Sequence, residues 1–177
     1  NFETIGLYDV PAVYHYLVNT LSIDRFSCIA HSGGGVAISI ALVKYPKFTK
    51  HINSITFFAT QAFGASTSVK QGLTLLAAKW MSIVAGKVPA AKIGAKEHDE
   101  TSYMMRQWYN WNLNKNFNGI GGFNYLSALP KIRVPIFSLS GEGDTFIAPK
   151  SGCKAFVDAF KNQKNRFQHF SLVNGNL

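Results

Sequence analysis

Between Asp9 and Leu21 the apolar positions Val10, Val13, Tyr14, Leu17, Val18 and Leu21 recur at the spacing of one helix face. The pattern predicts an amphipathic helix with Asp9 as its cap and Pro11 tolerated in the first turn. Arg25 to Ala30 reads as an apolar strand. Gly33 to Tyr45 reads as a helix that is apolar nearly all round, hence buried, with Pro46 stopping it. His51 to Thr60, carrying Ile52, Ile55, Phe57 and Phe58, predicts the next strand. Strand, helix and strand within so short a span call for a right-handed parallel crossover, and a parallel sheet is expected to be buried on both faces.

From Gln61 to Leu129 the pattern changes. Two helices are expected, Val69 to Val84 and Ser102 to Leu113, then a Gly/Asn-rich loop from Asn116 to Asn124, with no strand between them. Tyr103, Met104, Met105, Trp108, Tyr109 and Trp111 on the second helix could line a pocket; for most of them, packing within this segment is the expected role. A strand from Ile136 to Ser140, a turn Gly141 to Asp144, a helix from Ser151 to Phe160 opened by Pro149, and a last strand from Arg166 to Leu172 complete an α/β chain.

The 177 residues, 47% hydrophobic and 15% charged, suffice for one domain with a substantial core. Eighteen basic against nine acidic residues give +9, which raises the question of nucleic acid. The cations are scattered, however, and the densest group, Lys161, Lys164 and Arg166, fits a solvated loop, so no nucleic-acid partner is expected. Apolar runs such as Val36 to Val43 are too short to cross a bilayer. Cys28 and Cys153 have neither metal-ligand nor disulfide spacing; both are expected to be buried thiols, which favours the cytoplasm.

Candidate chemistry gathers at Ala30-His31-Ser32-Gly33-Gly34, where the strand turns sharply into the helix. Small residues two before and two after Ser32 let strand and helix approach while the serine hydroxyl is pushed outward. The Gly33 amide and the helix start face the same space, where an oxyanion could be held. A dinucleotide-binding loop is the rival. It needs Gly or Ala where Ile38 stands and an acidic residue about 20 positions on, yet no Asp or Glu occurs between Asp24 and Glu97.

This turn, with Gly141-x-x-Asp144 and Pro149 following the later strand, resembles the elbow and acid turn of the α/β-hydrolase superfamily. The resemblance implies a partial α/β-hydrolase fold, mainly parallel, with a core of residues 1–60 and 130–177 and a helical cap inserted at 61–129. It implies a serine esterase or lipase: Ser32 as nucleophile, Asp144 as the triad acid, Gly33 as oxyanion donor, and Ala30, His31 and Gly34 shaping the elbow. No cofactor or metal is expected, and the substrate would be a small ester with an apolar acyl group; thioesterases, peptidases and carbon–carbon hydrolases are not excluded.

A triad also needs a histidine after the last strand. His15, His31, His51, His98 and His169 all lie elsewhere, so the base is expected beyond Leu177, and the strands carrying a second oxyanion donor before Asn1. A non-catalytic binding protein of the same fold is the alternative.

Overall fold

The computed structural model describes residues 1–88 and 100–171. Helix begins well ahead of Asp9. A run from Phe2 to Thr20 consists of α1 (Phe2–Thr4), a π-helical stretch (Ile5–Asp9), α2 (Val10–His15) and a second π-helical stretch (Tyr16–Thr20). Its cap is Asn1, whose side chain accepts from the Thr4 N–H at 2.9 Å, whereas Asp9 sits inside the run and makes no side-chain capping bond. Pro11 has no N–H to offer the carbonyl of Leu7 one turn back. The Tyr45 hydroxyl donates to that carbonyl instead, at 3.0 Å, which ties the run to the end of α3 (Gly33–Lys44).

The chain continues through β1 (Phe26–His31), α3 and a 3-10 turn at Pro46–His51 into β2 (Ile52–Phe58). Next come α4 (Val69–Ala85), β3 (Lys87–Val88), β4 (Glu100–Thr101), α5 (Ser102–Asn114) and α6 (Tyr125–Ala128). Then β5 (Ile136–Gly141), α7 (Lys150–Asp158) and β6 (Arg166–Phe170) complete the order. The small antiparallel pair β3–β4 interrupts a stretch whose sequence predicts no strand, because two residues are too few to set up an alternating pattern. Leu172, the expected end of the last strand, lies outside the described residues.

The main sheet is parallel throughout, in the order β1-β2-β5-β6. Its register aligns Ala30 with Phe57 and Phe57 with Ser138. Residues of this parity bury themselves: Ile55, Phe57 and Ile136 join Val36 and Ile40 of α3 and Phe156 of α7 in one core. The other face differs from expectation. Ile29 is 77% exposed, and Phe58, Phe137 and Phe170 are also open, so among the described residues helices cover one side of the sheet only.

Most of α5's aromatic content packs inward. Met105, Trp108 and Tyr109 close on Ala65 and Leu75, joining α5 to α4, while Trp111 meets Phe117 edge-on at 4.9 Å in the main core. Tyr103 points outward. Both cysteines are free; Cys153 is buried as expected, but Cys28 is only half-buried because its strand lies at the sheet edge. Lys161, Lys164 and Arg166 are exposed. No helix among the described residues is long and apolar enough to cross a membrane.

Candidate active site

Ser32 lies between β1 and α3 with φ 50° and ψ −123°, a conformation that costs a non-glycine residue on the order of 1–3 kcal/mol. Neighbours impose it. Its N–H donates to the Phe58 carbonyl at 2.8 Å, and its own carbonyl accepts from the Thr60 hydroxyl and the Gly35 N–H, both at 3.1 Å. A serine at a helix N-cap ordinarily turns its oxygen back onto the first-turn amides. Here the side chain makes no such bond, so the hydroxyl is not committed to the helix end.

The glycines that follow are not equally constrained. A Cβ on Gly33 would come within 2.1 Å of the Phe2 ring, and one on Gly35 within 2.6 Å of the Thr60 side chain. Crowding at Gly34, which the sequence pattern implies, is absent: a Cβ there meets only the Ala30 methyl, at 3.8 Å. The close approach therefore falls at Gly33 and Gly35. Gly33 is the first residue of α3, and its amide belongs to the set that a helix leaves without an internal partner.

Asp144 follows the carboxyl end of β5. Its Oδ1 accepts from the N–H groups of Ile147 and Ala148 at 2.9 and 3.0 Å, folding the turn around the carboxylate. Gln61, buried just after β2, bridges towards the same turn: its Nε2 donates to the Ile147 carbonyl at 2.6 Å, and its Oε1 accepts from Gly64 N–H at 2.7 Å. Because β2 lies between β1 and β5, the strands that carry Ser32 and Asp144 run about 10 Å apart, with both residues at the carboxyl edge. In open α/β sheets that edge is where ligands bind.

His31 is exposed and lines a hollow of about 330 Å³ with Phe58, Leu139 and Phe170 on the open face of the sheet. His169 pairs through Nδ1 with the Ser140 hydroxyl at 2.9 Å, and His51 Nδ1 bonds the Asp24 carbonyl at 2.6 Å. His15 contacts the Asn19 side chain, and His98 lies outside the described residues. An apolar groove of about 420 Å³ beside β1, the outer strand of the sheet, lined by Val10, Val13, Leu17 and Ile29, does not include Ser32.

Phe2, Thr60 and Gln61 were not legible as site residues. Phe2 precedes any periodic pattern, and a Thr-Gln pair after a strand carries no motif.

Buried next to the acid turn, Cys153 has its thiol pushed up to about 12, first by desolvation and then by the Asp144 charge. Desolvation raises Cys28 too.

No protein-family model matches the chain, and no curated protein matches it in sequence. Solved structures do match in shape. The monoacylglycerol lipase of Paleococcus ferrophilus aligns with TM-score 0.56 at 11% identity over 93% of this chain and 65% of its own. An alpha/beta fold family hydrolase from Bacillus anthracis str. Sterne gives 0.51 at 10% identity over 96% and 68%. A structure from a study of Nitrososphaera gargenis carboxylesterases gives 0.51 at 14% identity over 93% and 63%.

The chain therefore has a partial α/β-hydrolase fold. It spans about two thirds of the length of the structures it resembles.

Proposed function

We propose that this chain carries the nucleophile and acid of a serine hydrolase that cleaves carboxylic esters. One observation supports this most: a serine held at φ 50° at the carboxyl edge of a parallel sheet, with its hydroxyl unused by the helix it precedes. In this reading Ser32 Oγ attacks the ester carbonyl, and its proton passes to a histidine outside the 177 residues, oriented by Asp144. The Gly33 N–H donates to the oxyanion of the tetrahedral intermediate, whose collapse expels the alcohol and leaves an acyl-serine that water then hydrolyses. Residues 61–129 act as the cap, with Phe2 and the cap's inner surface bordering an apolar acyl site. The names of the structures similar in shape, a lipase and carboxylesterases among them, agree with ester chemistry.

A fluorophosphonate probe applied to the intact protein tests the reading. Labelling of wild type and none of Ser32→Ala is expected. A well-folded wild type that resists labelling would instead indicate a binding protein on this fold.

A further inference from the structure

Helix α4 is apolar on both faces: Leu75, wholly buried, and Ala78 pack inward against α5, yet a second apolar stripe faces out. Two polar side chains share the inward face: the Lys79 ammonium donates to Asn110 Oδ1 at 2.8 Å, and Ser82, buried, donates to the Lys79 carbonyl. Val69, Leu73, Leu76, Trp80 and Val84, spaced three and four apart, form a continuous stripe facing solvent, with exposures from 41% for Leu76 to 88% for Val84. Met81 widens it. Scattered exposed leucines are ordinary, but a stripe running about four turns along one helix is a contiguous patch of the kind that marks a docking surface.

Charge selects the occupant. α4 itself carries no acidic residue, and Lys70 lies exposed beside the stripe. A second copy of a chain with net charge +9 would approach against like charge, whereas an anionic surface would attract it. Trp80 at mid-stripe has the amphipathic ring that settles at the headgroup level of a bilayer. We infer that α4 docks flat on an anionic lipid surface, the stripe entering the headgroup boundary and Lys70 resting among the phosphates. The inference does not depend on the hydrolase reading.

Co-sedimentation of the intact protein with phosphatidylcholine vesicles, with and without phosphatidylserine, tests it. Tryptophan emission supplies a second readout, because Trp108 and Trp111 are already buried and a blue shift on vesicle addition reports Trp80. Binding to phosphatidylserine vesicles that weakens with salt, accompanied by the blue shift, is expected. The Leu73→Glu/Val84→Glu variant alters two exposed positions and should fold like wild type by circular dichroism, yet bind roughly tenfold more weakly or worse. Lys70→Glu should weaken binding to the anionic vesicles alone. No binding to phosphatidylserine vesicles, or undiminished binding by the double variant, would overturn the inference. So would a vesicle-free dimer that the double variant converts to monomer, since the stripe would then be a contact between copies.

Discussion

The N–H of Ser32 donates to the carbonyl of Phe58 at 2.8 Å, so the elbow at the end of β1 is held by the neighbouring strand. That bond, with the Thr60 hydroxyl on the Ser32 carbonyl, keeps the serine in a backbone region that only glycine visits cheaply. Ser32→Gly is therefore expected to unfold at higher denaturant concentration than Ser32→Ala, by about 1 kcal/mol or more, with neither variant labelled by the fluorophosphonate. Equal stability of the two in urea titrations would show that the backbone is relaxed in solution.

Adjacent glycines should differ sharply. Gly35→Ala drives a methyl to 2.6 Å from Thr60 and 2.8 Å from Phe57, and a loss of roughly 1–3 kcal/mol is expected. Gly34→Ala meets only a 3.8 Å contact and exchanges a flexible residue for a good helix former near the start of α3, so its stability should equal or exceed wild type. Thermal melts of the pair decide the matter.

Asp144 performs two tasks that substitution can separate. Asn keeps an Oδ1 to accept from Ile147 and Ala148 but carries no charge. Under the triad reading Asp144→Asn should slow ester turnover by orders of magnitude at nearly unchanged stability, while Asp144→Ala should also lose about 1–2 kcal/mol with the turn. Turnover near wild type in Asp144→Asn would remove the residue from the catalytic set.

The buried thiol of Cys153 makes an alkaline prediction. Its folded value near 12 stands above the ordinary 9.0, so the unfolded chain loses this proton first as pH rises. The associated stability is complete below pH 9 and is lost progressively towards 12. Urea midpoints over that range should fall less steeply for Cys153→Ala than for wild type, and iodoacetamide should leave Cys153 unmodified at neutral pH. Rapid alkylation of the folded protein would contradict its burial.

The sequence resolves some of this architecture and hides other parts for identifiable reasons. Both long helices of the 61–129 segment follow from their spacing, and Gly141-x-x-Asp144 is recognisable because a turn needs those residue types. The first turns of the helix from Phe2 are obscured because the π-helical stretch Ile5–Asp9 shifts the angular period, dispersing the 3.6-residue repeat that Val10 to Leu21 still shows. Coverage of the sheet is illegible for another reason: Phe58 and Phe137 are apolar whether or not anything packs on them, so a run of apolar residues cannot reveal its own neighbours. Nor does any spacing rule disclose that Phe2 rests against Gly33, since that contact joins segments 31 positions apart.

Among the described residues one side of the sheet is uncovered, with Ile29, Phe58, Phe137 and Phe170 open and the outer edge of β1 unpaired, and this governs how the polypeptide behaves on production. Expressed as these 177 residues alone, it should collect in inclusion bodies and retain a chaperone through purification, because edge and face together are a template for stacking further strands. Fusing a segment that caps both should release it into the soluble fraction.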